Sequence, residues 1–272
     1  MTNVNAPKIE GGKRCQGIVK KNIGDKPLVS IITAVYNGNA ALDETIKSVL
    51  SQDYPQFEYL IIDGGSNDGT IETLKNFDDS IDYWMSEPDK GVYDAFNKGI
   101  DLANGEWLYF IGDSDCFIDN HVLQRIFSKT YKSKLLYGDV MWGDTGIVYD
   151  GKFDKIKLYN QNICQQAIFY NRELFHAIGK FDLRYQLVAD WVFNIRAFAF
   201  KDSYPAYINT IVANYSLDGM STNVWDQDFL NERDYLIKRY FGYCIYSRSR
   251  LGMIMEILLN SIISSLKRFL SN

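Results

Sequence analysis

From Leu28 onward the chain alternates apolar runs with segments of helical spacing, and no other feature constrains its fold as tightly. Leu28 to Ala34 reads LVSIITA, Tyr59 to Ile62 reads YLII, and Glu106 to Ile111 reads EWLYFI, with Ile81–Met85 a further strand between the last two. Apolar runs without polar alternation belong to strands covered on both faces. Ala41, Ile46, Val49 and Leu50 recur at helical spacing behind Asn39, a candidate N-cap, and Thr70–Phe77 and Val92–Leu102 also read as helices. Such a succession predicts an α/β fold with a mostly parallel sheet and helices on both faces. Ligands of such sheets sit beyond the carboxyl ends of the strands. That rule gathers Tyr36, Asp63, Glu87–Lys90 and Asp113–Asp115 around one crevice.

The second half is less regular. Leu135–Trp142, Ile147–Tyr149 and Ala206–Tyr215 read as strands, Gln165–Tyr170 as a short apolar segment, and Leu187–Phe200 as a helix with Asp190 in its first turn. Residues 1–27 are polar and aperiodic, which predicts a loosely packed arm.

An apolar content of 46% supplies a large core, and the net charge of −5 argues against nucleic acid as the main partner. The charge is uneven: from Tyr235 onward the tail carries +5, leaving −10 on the body. Four cysteines without a Cys-x-x-Cys pair and two isolated histidines offer no zinc spacing, and the N-terminus lacks the apolar core of a signal peptide. These features predict a cytoplasmic location.

Four acidic residues bear on chemistry. Asp113 and Asp115 stand at i and i+2 after a strand, where two carboxylates can share a Mg²⁺ or Mn²⁺ ion with phosphate oxygens; a solvated surface turn has the same spacing. Asp63 closes its strand, suited either to a ribose or base contact or to an Asx-turn into the Gly64–Gly69 loop. Asp190 lies in LVADWVF, where apolar neighbours favour a general base, although an acid in a helix's first turn also serves the helix dipole.

The segments PLVSIITAVYNGNAALDETIKSVLSQDYPQFEYLIIDGGSNDGT and SEPDKGVYDAFNKGIDLANGEWLYFIGDSDCF resemble the large inverting GT-A family of glycosyltransferases, family two. The resemblance covers roughly residues 8–222 and is to the bacterial branch that builds O-antigen, colanic acid and capsule repeat units. It implies a Rossmann-like GT-A fold, with a nucleotide-sugar half at 28–118, an acceptor half at 119–222 and a C-terminal helical tail at 223–272. By the same resemblance, Ala34, Tyr36, Asn37, Asp63, Asp89, Lys98 and Asp113 bind the nucleotide. Asp115, with Asp113, holds Mn²⁺ or Mg²⁺, and Asp190 is the catalytic base. CQQAIFYNRELF and LDGMS match acceptor and diphosphate loops, which brings in Gln165, Gln166 and Ser221, and ADWVFNIRA, the segment of the base, adds Trp191 to that side. The chain departs from the pattern at three places: Gly64 stands where a second acid is common, Gln165 where a His is common, and Gly112-Asp113-Ser114-Asp115 replaces the usual acidic strand end. Asp115 is the closer match of the two acids. The implied partners are a nucleotide-diphosphate sugar and a glycan acceptor, polyprenyl-diphosphate-linked in the resembling enzymes.

Two other classes weigh against this reading. A nicotinamide oxidoreductase needs G-x-G-x-x-G after its first strand, and the chain has Tyr36-Asn37-Gly38-Asn39-Ala40 there. A degenerate, non-catalytic binding subunit would have no reason to keep Asp63, Asp115 and Asp190 together. Leu251 to Leu270 repeats apolar residues at i, i+3 and i+4 with cations nearby, which predicts an amphipathic helix on the inner face of an anionic membrane; packing on the domain or a partner is the alternative.

Overall fold

Val29 to Val35 is buried at every position and forms the centre of one continuous sheet. The structure, a computed structural model, describes residues 8–216 and 226–252. Its elements are β1 (Ile9–Gly11), β2 (Val29–Val35), α1 (Asn39–Leu50), β3 (Phe57–Asp63), α2 (Thr70–Asn76), β4 (Tyr83–Ser86), α3 (Val92–Leu102), β5 (Trp107–Gly112), β6 (Cys116–Phe117), α4 (Val122–Phe127), β7 (Leu135–Trp142), β8 (Val148–Tyr149), α5 (Lys155–Asn160), β9 (Ile168–Asn171), α6 (Arg172–Ile178), α7 (Ala189–Ala199), β10 (Ala206–Tyr215) and α8 (Gln227–Phe241). A further helical stretch covers 243–252.

The sheet order is β1-β4-β3-β2-β5-β9-β7-β10-β6, with β8 beside β7. Strands β4, β3, β2 and β5 are parallel, as the apolar runs predict. Of the rest, β10 runs parallel to β7, whereas β9 is antiparallel to both β5 and β7, and β1, β6 and β8 pair antiparallel at the margins. The sheet is therefore mixed. In the first half every strand–helix–strand crossover restores the strand direction, while β9 enters the second half reversed.

Period-two alternation divides the central strands between two cores. Ile32, Leu60, Ile62, Leu108 and Phe110 pack with α3 and α7, whereas Ile31, Tyr59, Ile61, Tyr109 and Ile111 pack with α1, α2 and α4. Both faces are covered, which is why these strands carry no polar alternation.

Within the stretch 1–27, the described residues 9–16 pack against the sheet edge rather than lying loose. Ile9–Gly11 pairs with Trp84–Ser86, and Arg14 reaches inward to Glu58 Oε2 at 2.6 Å and the Leu102 carbonyl at 2.7 Å. Glu58 is fully buried and also accepts from Ser30 Oγ and the Asn104 N–H, both at 2.5 Å. One cation buried against one acid anchors a stretch with too few apolar residues to show a periodic pattern.

Asn39 is the first residue of α1 rather than its cap; Gly38 holds the cap position without a side-chain bond. The helix start is satisfied from the next loop instead, the Asn39 N–H donating to Asp68 Oδ2 at 3.0 Å.

Candidate active site

The carboxyl ends of β2, β3 and β5 open onto one crevice. Ala34, buried in the last turn of β2, pairs with Ile62 and Gly112 on either side. Tyr36 follows with 61% of its surface exposed, and Asn37 adopts a left-handed conformation at φ 53°. Asparagine tolerates that region because its short amide bonds locally. Here the Asn37 N–H donates to Ser66 Oγ at 2.7 Å and its Oδ1 accepts from the Asn67 N–H at 3.0 Å, clipping the β2–α1 turn to the loop after β3.

Asp63 is fully buried and builds that loop. Its Oδ2 accepts from the Gly65 N–H at 3.1 Å, the Ser66 N–H at 3.0 Å and Ser86 Oγ at 2.5 Å, and its Oδ1 accepts from Ser66 Oγ. This is Asx-turn geometry. Beside it, Gly64 leaves room for Asp89: a Cβ there would stand 2.8 Å from Asp89 Oδ2. Burial raises the Asp89 carboxyl above its ordinary value, opposed by the Gly91 N–H and by Lys98. Lys98 itself pairs with Glu87 at 2.8 Å.

The strand end Gly112–Asp115 presents two different carboxylates. Asp113 is partly buried, and no hydrogen bond reaches its carboxylate from another described residue. Burial, then repulsion from Asp115 and Asp68, pushes it up to about 6. Asp115 is buried and held: its Oδ2 accepts from Gln166 Nε2 at 2.5 Å and its Oδ1 from the Ser216 N–H at 2.8 Å. Burial raises it as well.

Strand β9 brings the second half to this point. Because it runs against β5, its lead-in Gln165–Ala167 arrives at the carboxyl end of β5. Gln166 is spent on Asp115, whereas neither buried amide atom of Gln165 meets hydrogen-bond geometry with a partner among the described residues. Buried amides are normally satisfied, so such a group marks a place where a ligand can bond.

Asp190, the second residue of α7, is buried, with Tyr93 Oη donating to its Oδ1 and Asn162 Nδ2 to its Oδ2, both at 2.6 Å. Desolvation is the largest influence on it and raises its carboxyl despite those donors. Its neighbour Trp191 is a packing residue: the indole N–H donates to the Leu158 carbonyl at 2.7 Å and the ring lies 4.7 Å from Phe229. Ser221 lies outside the described residues.

Tyr93 and Asn162 carry no sequence signal of their own. Asn194 does: it stands four residues after Asp190 and so on the same face of α7. Its Nδ2 donates to Asn162 Oδ1 at 2.9 Å. Among the described residues no group of three or more His, Cys, Asp or Glu is placed to hold a metal by itself, and no helix is long and apolar enough to cross a membrane.

The family described as Glycosyl transferase family 2 matches residues 30–185. A PGL/p-HBAD biosynthesis glycosyltransferase of Mycobacterium bovis is 38% identical over 212 residues, 75% of this chain and 83% of that protein. An uncharacterized glycosyltransferase of Mycobacterium tuberculosis is 31% identical over 209 residues, 72% of this chain and 78% of that protein. Among solved structures, S. aureus TarS 1–349 in complex with UDP gives a TM-score of 0.60 at 18% identity, over 78% of this chain and 65% of that one. The mannosyltransferase PcManGT from Pyrobaculum calidifontis, in complex with GDP-Man and Mn²⁺, gives 0.57 at 16% identity, over 86% of this chain and 69% of that one. The mixed sheet with its carboxyl-end crevice is thus a GT-A-like fold, and the protein is a glycosyltransferase. It belongs to glycosyl transferase family 2.

Proposed function

We propose that the chain is an inverting, metal-dependent transferase that moves a sugar from a nucleotide diphosphate onto a hydroxyl of a glycan acceptor. The observation that carries this reading is that one short stretch bonds to both acidic sites: Asn162 Nδ2 donates to Asp190 Oδ2 at 2.6 Å and Gln166 Nε2, four residues on, to Asp115 Oδ2 at 2.5 Å. The strand-end acid of the donor half and the buried acid of α7 are thereby tied to the same lead-in of β9, an arrangement that supports an in-line displacement between them.

In this reading the nucleotide lies over Ala34, Tyr36 and Asn37, with the Asp63 loop shaping its floor and Asp89 and Lys98 beside it. The diphosphate lies toward Asp113 and Asp115. The donor set fits a hard cation: Asp113 keeps its oxygens uncommitted, Asp115 retains lone pairs beyond its two hydrogen bonds, and phosphate oxygens complete the shell. A Mn²⁺ or Mg²⁺ ion bound there would neutralise charge on the departing diphosphate. Asp190 takes the proton of the acceptor hydroxyl. The freed oxygen attacks the anomeric carbon, and the bond to the phosphate oxygen breaks with its electron pair leaving on the nucleoside diphosphate. One displacement inverts the anomeric centre, with no covalent enzyme intermediate. The unspent amide of Gln165 is available to an acceptor hydroxyl or a phosphate oxygen, and Ser221 belongs to the loop assigned to the diphosphate.

The similarity to an enzyme of PGL/p-HBAD biosynthesis supports a glycan or glycolipid acceptor, and a lipid-diphosphate-linked acceptor gives the basic tail a purpose. Lys238 and Arg239 close α8, and Tyr243 and Leu251 beyond it are exposed, a composition that suits an anionic inner-membrane surface. Flotation of the full chain with phosphatidylglycerol vesicles, lost with phosphatidylcholine alone, tests this part.

The donor site is tested by thermal shift with UDP, GDP, dTDP and CMP, each with and without Mn²⁺. One diphosphate should raise the unfolding midpoint only with metal, and Asp115→Ala should abolish the effect. Weak binding that ignores the metal refutes the assignment.

A further inference from the structure

Asp190 ends a chain of hydrogen bonds whose donations all run toward it. Tyr170 Oη donates to Asn194 Oδ1 at 2.9 Å, Asn194 Nδ2 to Asn162 Oδ1 at 2.9 Å, and Asn162 Nδ2 to Asp190 Oδ2 at 2.6 Å. From the opposite side Tyr93 Oη donates to Oδ1 at 2.6 Å, with the Leu187 carbonyl 3.1 Å from the same hydroxyl. Asn194 and Tyr170 are fully buried and Tyr93 nearly so.

We propose that Asn162 and Tyr93 are positioning residues for the transfer, holding the Asp190 carboxylate ionised and aimed from its two sides, with Asn194 and Tyr170 polarising the Asn162 amide. The inference rests on the reading of Asp190 as the base. Three features support it beyond the distances. Aligned bonds polarise one another, so a chain with every donor directed at one carboxylate strengthens its last bond. Both phenols are kept protonated, since burial pushes Tyr93 and Tyr170 well above their ordinary range and the Asp190 charge pushes them further. The two direct donors also come from different halves of the molecule, Tyr93 from α3 and Asn162 from the loop after α5, so the carboxylate is fixed against both.

Among the described residues no charged side chain bonds to Asp190. Burial keeps Cys164 and Tyr170 protonated, and the Asp190 charge pushes both further up. Charged groups of the packed helices hold other partners: Lys157 of α5 pairs with Asp150, Arg172 of α6 with the Gly105 carbonyl and Glu173 with Lys134, and on α8 Glu232 bonds Tyr185, Asp234 bonds Tyr159 and Arg233 lies over the Tyr159 ring. On α3, Asp94 accepts from the Lys90 N–H. Neutral hydrogen bonds alone thus offset the desolvation of the base. Each one lowers its proton affinity, so losing one raises it.

The test is steady-state turnover against pH for the full chain with Mn²⁺, using UDP-glucose, UDP-N-acetylglucosamine, GDP-mannose and dTDP-rhamnose as donors and following nucleoside diphosphate release. Asp190→Asn should abolish turnover. Asn162→Ala and Tyr93→Phe should each lower kcat about ten- to a hundredfold. Both should leave donor KM nearly unchanged and move the acid limb of the profile to higher pH. Tyr170→Phe, which removes only the far end of the chain, should move that limb the same way by a smaller amount. If Asp190→Asn is inactive while the three variants keep the wild-type acid limb, the positioning role is overturned and the base stands. If Asp190→Asn turns over normally, the base reading falls and the inference with it. Tyr93→Phe and Tyr170→Phe keep the ring and the packing, so the test survives any folding defect of Asn162→Ala.

Discussion

The carboxylate of Asp113 occupies the space that a side chain on Gly38 would need: a Cβ at position 38 would stand 2.0 Å from Asp113 Oδ2. The turn after β2 and the turn after β5 therefore fit together only because position 38 is bare. Gly38→Ala should swing the Asp113 carboxylate out of the crevice and weaken Mn²⁺-dependent nucleotide binding by about tenfold, or about 1.4 kcal/mol. Titration calorimetry measures the loss, and an unchanged affinity shows that Asp113 does not contact the bound metal–nucleotide.

Asp113 should cost stability at neutral pH. Its folded value of about 6 lies above that of an unfolded carboxyl, so the folded state holds the proton more tightly. The group's stabilising contribution is full below the unfolded value and is lost as pH rises through about 6. Asp113→Asn should accordingly gain roughly 1 kcal/mol at neutral pH, after allowance for partial exposure, and nothing at about pH 4. Urea unfolding at the two pH values measures the difference. A gain that persists in acid contradicts the origin assigned to it.

Arg14 is expected to matter far more than its place near the start of the chain suggests. Glu58 has no exposed surface, and Arg14 retains 13%. Removing one partner of a buried pair leaves the other uncompensated, at a cost of about 3–5 kcal/mol. Arg14→Ala should show that loss in chemical denaturation, while Glu58→Gln with Arg14→Met together should lose much less.

Gly64 and Asp89 should behave as one unit. Gly64→Ala pushes a methyl group against the Asp89 carboxylate and should lower the unfolding midpoint, whereas in an Asp89→Gly background the same change should cost little. A double-mutant cycle should return a coupling of about 0.5–3 kcal/mol, the range for residues in contact. Additive effects would place the two side chains apart.

The parallel half of the fold was legible because each of its strands is buried on both faces, and burial writes an apolar run into the chain. Strand β9 spans four residues and β6 two, too short for any period to show, and their pairing partners lie far off in sequence. Strand β1 was hidden for another reason: an edge strand reading Ile-Glu-Gly is held by backbone bonds and by Arg14 behind it. At the site, Asp113, Asp115 and Asp190 could be nominated from strand ends and an apolar neighbourhood. The unequal commitment of Asp113 and Asp115 could not, because it depends on Gln166 and Ser216 arriving from elsewhere. Trp191 shows the converse, since one step along α7 turns its side chain about 100° away from Asp190, toward the Leu158 carbonyl and Phe229.

The reversal of β9 has a consequence for how such a molecule can diversify. Chain entering an antiparallel strand enters at the crevice, so residues 161–167 reach the side proposed for the acceptor while the ladder of β2, β3, β4 and β5 is completed without them. On the proposed reading, substitutions in that lead-in other than at Asn162 and Gln166, which bond to Asp190 and Asp115, would reshape the wall that meets the incoming hydroxyl and leave the nucleotide floor intact. The two substrates would then be read by stretches of chain free to change at different rates, and new linkages could arise with the donor site kept.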